Sequence, residues 1–307
     1  MTARIFILTM LAMIAFASNS LLCRAALKQT AIDPASFTFV RILSGALALW
    51  LIVMIRSSFS SPVANASPAR THSSLGSGNC PSAIALFVYA AGFSFAYVDL
   101  SAGTGALLLF GAVQATMILW GFRKGERLDP TQIAGIVIAL IGLVVLAFPG
   151  ISAPPLISSI FMLAAGIAWG AYSLRGKTAA DATATTTGNF LRAVPIALLV
   201  SLIMLPRMRF DSLGTTYAVL SGAITSGIGY VIWYAALAGL KAASAATVQL
   251  SVPVLAATGG ILLLHEPITM RYVIASIAVL GGILLVVIEK QRTSLPVRTA
   301  SGSEDQQ

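Results

Sequence analysis

Long apolar runs alternate with short polar connections along most of the chain. A helix that crosses the core of a bilayer needs about 20 consecutive, mainly apolar residues, and this window predicts ten such helices. Prolines lie in or beside many of the connections, as is typical of helix ends. The predicted helices are Ile5–Cys23, Ala35–Ile55, Ser82–Val98, Ala102–Phe122, Gln132–Phe148, Leu156–Leu174, Thr186–Leu205, Leu213–Ala236, Ala243–Leu264 and Tyr272–Ile288.

Two stretches of the chain share one plan. Gly103–Phe148 and Ala243–Ile288 each contain a helix with small residues, a polar turn and a second apolar helix that carries glycine. Their register pairs Glu126 with Glu266 and Gly142 with Gly282. Ten helices in two copies give five per copy, and an odd number makes the second copy enter the membrane from the opposite face. The sequence therefore predicts an all-α membrane protein with two inverted five-helix repeats.

The domain boundaries follow from the same repeat. The first five-helix unit covers residues 1–150 and the second covers residues 151–290. Within the first unit, residues 57–79 are rich in Ser, Ala, Pro and Gly, which predicts a mobile loop. Residues 291–307 are polar and are expected to form a disordered cytoplasmic tail.

Composition places the chain in a lipid bilayer. It is 57% hydrophobic and 9% charged, and its mean hydropathy is +0.90, which no water-soluble fold could bury. The net charge of +9 comes from scattered basic residues without a dense patch, so nucleic acid is not expected as a partner. Lys and Arg are concentrated in the connections on the side of the N-terminus, which predicts both termini in the cytoplasm. A bacterial inner membrane is the expected location.

Polar residues within the predicted spans are candidates for substrate contacts, because such groups are costly in a membrane. They are Asn19, Arg41, Gln114, Arg192 and Gln249. The two arginines correspond in the repeat and could bind a substrate carboxylate or phosphate. Alternatively, each guanidinium extends to the nearer interface or donates to the backbone carbonyls of a neighbouring helix end. For the three amides, the alternative is hydrogen bonding between helices, worth about 1 kcal/mol each.

Aromatic residues form a second set of candidates. Tyr89, Trp169, Tyr172, Tyr230 and Trp233 could line a cavity for a small amphiphilic molecule, although Trp and Tyr also populate membrane interfaces. Pro253 interrupts the ninth predicted helix. It is expected either to act as a hinge between moving parts or to produce a static kink.

The residue types needed for enzymatic chemistry are absent from the predicted spans. All ten carboxylates and both histidines fall at predicted helix ends, in connections or in the tail. An intramembrane enzyme, a metal site and a carboxylate-based proton pump are therefore disfavoured. No phosphate-binding Walker sequence is present, and no cofactor or catalytic residue is predicted.

Two groups of motifs resemble the EamA-type members of the drug/metabolite transporter superfamily. The first is Gly103-Thr104-Gly105-Ala106 leading to Gly125-Glu126, and the second is Gln249-Leu250-Ser251-Val252-Pro253-Val254 leading to His265-Glu266-Pro267. The resemblance implies alternating access around a central cavity and export of metabolites, as in the YddG-type amino-acid exporters. In the first helix this chain has Ser18-Asn19 where many relatives carry Trp-Gly, whereas Trp169-Gly170 matches that pattern.

The expected function is a secondary transporter that moves small organic metabolites, with amino acids as the preferred class, out of the cell. A drug or nucleotide-sugar carrier of the same fold is one alternative, and an integral-membrane enzyme or a passive channel is another. The expected partners are the small-molecule substrate and the lipid bilayer. The sequence leaves the oligomeric state open and is compatible with a monomer.

Overall fold

The computed structural model describes residues 2–59, 77–125, 129–147, 153–176, 179–240 and 248–293, and these residues contain helices and turns without a β-strand. Residues 60–76 of the predicted mobile loop and residues 294–307 of the predicted tail lie outside the described residues. Glu126, one member of the pair that set the repeat register, lies outside them as well.

The helices follow one another along the chain with short connections. Their bounds are α1 Ala3–Gln29, α2 Pro34–Phe59, α3 Cys80–Ala96, α4 Ala102–Arg123, α5 Pro130–Ala147, α6 Leu156–Gly176, α7 Ala182–Ile203, α8 Ser212–Leu237, α9 Ser251–Leu264 and α10 Met270–Thr293. Within α8, the middle stretch Leu220–Ile228 is a π-helix between two α-helical segments. A π-helical stretch widens the helix and is frequent at functional sites.

Six of the described helices are long and apolar enough to cross a membrane, namely α1, α2, α4, α6, α7 and α8. The helices α3, α5, α9 and α10 provide shorter apolar stretches. The predicted bounds agree with these helices to within a few residues at most ends. One exception is α1, which continues to Gln29, so that Arg24 lies inside a helix and not in a connection. The other is α9, which starts at Ser251, while residues 241–247 are outside the described part.

Polar side chains fix where several helices begin. Asn79, Ser101, Asp181 and Asp211 each accept a hydrogen bond from a backbone N–H of the following first turn. Asp33 does the same for α2, because its carboxylate accepts from the N–H groups of Ala35 and Ser36, the second and third residues of that helix. Such caps satisfy backbone donors that have no partner within the helix. The described aspartates thus serve at helix ends, as the sequence predicted.

The helices pack into a bundle in which the two halves of the chain interleave. The main contacts join α5 to α10, α3 to both α6 and α7, α4 to α6 and α9, α2 to α7 and α8, and α1 to α8 and α9. Glycine permits two of the closest approaches. Gly135 and Gly282 face each other, and a Cβ atom on either glycine would collide with the carbonyl oxygen of its partner. A Cβ atom on Gly222 would collide with the carbonyl oxygen of Arg41. Large aliphatic side chains on the outside of the bundle remain exposed, as expected against lipid.

Candidate functional site

Asn19 lies at the centre of a buried hydrogen-bond network. Its side chain is on α1, and the residue is 5% exposed. The amide Nδ2 donates to the hydroxyl of Tyr89 on α3 at 3.3 Å. The amide oxygen accepts from the hydroxyl groups of Ser221 at 2.7 Å and Thr225 at 3.1 Å, both in the π-helical stretch of α8. One amide therefore connects the first half of the chain to the second.

Arg41 on α2 joins the same network. It is 2% exposed, and its Nη2 donates to the Tyr89 hydroxyl at 3.0 Å and to Ser226 Oγ at 3.4 Å. Its Cζ lies 5.2 Å from the ring centroid of Tyr89 and 4.8 Å from that of Phe93, so the guanidinium also faces aromatic rings. The side chain is enclosed by protein, which does not fit the alternative that it extends to a membrane interface.

The charge of Arg41 has no carboxylate partner within the described part of the chain. The ion pairs in that part are Arg24 with Glu266 and Arg56 with Asp181. The Nη1 atom of Arg41 is buried and makes no hydrogen bond to any described residue. A buried, uncompensated guanidinium is unfavourable for folding. The described contacts of this charge are the hydroxyls of Tyr89 and Ser226 and the rings of Tyr89 and Phe93.

Aromatic rings surround this network. Trp169 stacks on Tyr172 with a centroid distance of 5.5 Å, and it contacts Tyr89 at 4.8 Å and Tyr230 at 4.9 Å. Phe16 presents its edge to Trp169, Tyr230 and Trp233 at 5.9 to 6.4 Å. The hydroxyl of Tyr230 is buried and has no hydrogen-bond partner among the described residues. We call these rings, with Asn19 and Arg41, the central cluster.

The structure brings seven of the predicted site residues into the central cluster. They are Asn19, Arg41, Tyr89, Trp169, Tyr172, Tyr230 and Trp233. Sequence reasoning missed Phe16 and the hydroxyls of Ser221, Thr225 and Ser226. Serine and threonine are common in membrane helices, so only the small-residue content of that stretch could have singled them out.

The remaining candidates lie on α7 and α4 and at the start of α9. Arg192 on α7 donates to the backbone oxygens of Ser77 and, at 2.9 Å, of Gly188, near the start of α3. Gln114 on α4 and Gln249 before α9 are buried, at 3% and 7% exposed. Pro253 lies in the first turn of α9, where its missing N–H removes no helical hydrogen bond.

A second polar centre, the Arg24–Glu266 junction, lies at the end of the bundle where α1 finishes. Arg24 Nε and Glu266 Oε1 are 2.9 Å apart. Arg24 Nη1 also donates to the backbone oxygens of Tyr97 at 3.0 Å and Val98 at 2.8 Å, at the end of α3. The second carboxylate oxygen of Glu266 accepts from the N–H of Ala102 at 2.8 Å, at the start of α4. The junction ties α1, α3 and α4 to the connection between α9 and α10.

The opposite end also has polar contacts between the two halves. Arg175, at the end of α6, donates from Nε to Ser82 Oγ at 3.0 Å and from Nη2 to Asn79 Oδ1 at 3.1 Å. Asn189 on α7 accepts from the backbone N–H of Asn79 at 3.0 Å. Both ends of the bundle are thus bridged from the first half to the second.

Comparison with known proteins adds four findings. A family model described as the EamA-like transporter family matches residues 3–148 and, separately, residues 156–288. An uncharacterized protein of Pseudomonas aeruginosa, PA1977, is 53% identical over 92% of this chain and 94% of its own length. An uncharacterized transporter of Archaeoglobus fulgidus is 28% identical over 65% of this chain and 73% of its own length. A solved crystal structure has a similar fold, with a TM-score of 0.63 and 17% identity over 95% of this chain and the whole of that chain.

Proposed function

Because the chain belongs to the EamA-like transporter family and is a membrane transporter, we propose that it moves small organic metabolites by alternating access, with the central cluster as the substrate site. Amino acids are the preferred substrate class, and export from the cell is the net direction. The proposed location is the inner membrane of a bacterium, with both termini in the cytoplasm and a monomer as the working unit.

One observation carries this proposal. The central cluster is buried between the two halves of the chain, and it joins polar groups from α1, α2 and α3 to polar and aromatic groups from α6 and α8. A transporter needs a site at this position, because movement of one half against the other can then expose it to either side. A few convergent polar groups among aromatic walls suit a small amphiphilic molecule.

The proposal includes an inverted repeat, in which the two halves of the chain exchange places. If α1 to α5 correspond in order to α6 to α10, each contact between the halves should have a counterpart. The contact of α3 with α6 corresponds to that of α8 with α1, and the contact of α4 with α6 corresponds to that of α9 with α1. The contact of α2 with α8 corresponds to that of α7 with α3, and the contact of α5 with α10 is its own counterpart. The same family model matching each half of the chain agrees with this plan. Five helices per half require that the second half be inverted.

The proposed cycle opens the two ends of the bundle in turn. The Arg24–Glu266 junction holds one end closed, and the contacts of Arg175 and Arg192 with the segment at the start of α3 hold the other. The described arrangement therefore represents an occluded state, from which either end is released when its bridging contacts break. In this proposal Gln114 and Gln249 lie along the substrate path. Pro253, in the first turn of α9, marks the proposed hinge: the chain bends where α9 begins and not within the helix, so that α9 changes its angle as one piece.

The test is counterflow in proteoliposomes loaded with each member of an amino-acid panel. We expect saturable uptake that is accelerated by substrate on the opposite side. Asn19→Ala should lower the rate about tenfold, since it removes buried hydrogen bonds worth about 1.4 kcal/mol at the site. Gln29→Ala removes a comparable but exposed amide from the same helix and should leave the rate unchanged.

Other outcomes separate the alternatives. Flux without acceleration by substrate on the opposite side would indicate a passive channel. Exchange of nucleotide-sugars or export of cationic drugs, without any amino-acid counterflow, would reject the proposed substrate class. A cationic drug is disfavoured because the central cluster contains no carboxylate from the described residues.

A further inference from the structure

We infer that the transported molecule presents a carboxylate, which acts as the counter-ion of Arg41 and lies between Arg41 Nη1 and the hydroxyl of Tyr230. This inference rests on the proposed transport function and names the group that its site recognises. Two donors, one charged and one neutral, would bind the two oxygens of a single carboxylate.

The first step concerns the donors that the protein leaves unused. Arg41 Nη2 has two acceptors, the hydroxyls of Tyr89 and Ser226, whereas Nη1 has none among the described residues. The Tyr230 hydroxyl, in a residue that is 3% exposed, also makes no hydrogen bond to a described residue, although it lies near the hydroxyl of Tyr89. Tyr89 and Trp169 link it to Arg41: Arg41 donates to the Tyr89 hydroxyl, and the Trp169 ring lies 4.8 Å from the Tyr89 ring and 4.9 Å from the Tyr230 ring. Buried donors without acceptors are rare in folded proteins, and two of them share this cluster.

The second step concerns charge. The carboxylates whose side chains the structure describes each have another role at a helix end. Asp33, Asp181 and Asp211 cap helices, Asp99 accepts from Ser158 Oγ at 2.5 Å, Asp129 accepts from the N–H of Thr131, and Glu266 pairs with Arg24. None of these groups neutralises Arg41. A positive charge at this depth is retained where function requires it, and here its function is to attract an anion.

The third step distinguishes a carboxylate from a phosphate. A dianionic phosphate needs a second cation, but Arg24 is bound to Glu266 and Arg192 contacts backbone oxygens near the start of α3. One guanidinium balances one negative charge. The rings of Phe93, Trp169 and Phe190 border the donors and suit an apolar body attached to that carboxylate.

The fourth step concerns the rest of an amino acid. The amide oxygen of Asn19 already accepts from Ser221 and Thr225, so the cluster offers no free carboxylate or amide oxygen from these residues to an ammonium group. The carboxylate is therefore the recognised group, and the ammonium contributes little. A carboxylic acid without an amino group should bind about as well as the matching amino acid.

The experiment measures thermal unfolding of the full-length protein in detergent with four probes that share a phenyl ring. They are L-phenylalanine, 3-phenylpropionate, the neutral 3-phenylpropionamide and phenyl phosphate. We expect both carboxylates to raise the unfolding temperature by about 5 °C at a hundredfold excess over their Kd. We expect no rise with the amide or with the phosphate.

Three variants locate the effect. Arg41→Gln should abolish the rise, and Tyr230→Phe, which keeps the ring, should weaken carboxylate binding about tenfold. Arg56→Gln is the matched control, because this arginine is 59% exposed and pairs with Asp181 at the surface. It should retain the full rise. Equal stabilisation of wild type and Arg41→Gln, no carboxylate effect on wild type, or an effect of phosphate alone would overturn the inference.

The inference and the proposed function can fail separately. Carboxylate binding that depends on Arg41, combined with an absence of counterflow, would reject transport and keep the binding site. Counterflow that is the same for the acid and its amide, in wild type and in Arg41→Gln, would keep transport and reject the carboxylate.

Discussion

Two buried arginines on consecutive helices, Arg24 and Arg41, differ in whether the protein supplies a partner for their charge. Arg24 on α1 has a carboxylate at 2.9 Å and two backbone oxygens, which together satisfy its guanidinium. Arg41 on α2 has two hydroxyl acceptors and two aromatic rings, and its Nη1 has no partner within the described chain. The difference separates a charge used to hold helices together from a charge left available for a ligand.

We expect the largest effect on stability from a substitution that breaks the Arg24–Glu266 junction. Arg24→Gln leaves the Glu266 carboxylate, whose side chain is 12% exposed, without its cation. Breaking a buried pair from one side costs about 3 kcal/mol, so the unfolding temperature in detergent should fall clearly below that of wild type.

The double variant Arg24→Met with Glu266→Met is the control for this prediction. It removes both charges and should recover most of the lost stability, because no unpaired ion remains. A single variant as stable as wild type would mean that the junction contributes no net stability and that the contrast with Arg41 does not hold.

A substitution at Gly222, which packs against the backbone of Arg41, should have a smaller effect on stability. A Cβ at this position would overlap the backbone oxygen of Arg41 and the hydroxyl of Ser44, so Gly222→Ala forces α2 and α8 apart. We expect a loss of about 2 kcal/mol. Gly227→Ala in the same π-helical stretch is the matched control, since its nearest neighbour would be 3.3 Å away. Equal losses in the two variants would show that the loss reflects the π-helical backbone and not the approach of α2.

The comparison also shows how far sequence reasoning reaches in this protein. Helix positions and the membrane class follow from local hydropathy, because about 20 apolar residues in a row leave few other structures. Arg41, Asn19 and the rings of α3, α6 and α8 were predicted for the site because polar and aromatic groups are unusual at that depth. The partner of Arg24 was missed, since Glu266 is 242 residues away and hydropathy places both at helix ends.

Other parts of the site depend on packing that no local pattern records. In the sequence, Arg192 is the repeat counterpart of Arg41. In the structure it donates to the backbone oxygen of Ser77, in the segment before α3 at one end of the bundle. The hydroxyls of Ser221, Thr225 and Ser226 contribute because the π-helical stretch of α8 turns toward α1 and α2. Neither the acceptor nor the local helix type can be read from residue spacing alone.

Substitution of Arg41 has the smallest predicted effect on stability. It should stabilise the ligand-free protein, whereas substitution of Arg24 should destabilise it. Without ligand, Arg41→Gln replaces an uncompensated buried cation by a neutral amide that can still donate to the hydroxyls of Tyr89 or Ser226. Residues kept for binding commonly reduce stability, so the ligand-free variant should gain about 1 kcal/mol in the same unfolding assay. With 3-phenylpropionate present, the order should reverse, because only wild type gains from the added carboxylate. A ligand-free Arg41→Gln that is destabilised as much as Arg24→Gln would mean that the two arginines have the same structural role, and the contrast between them would be wrong.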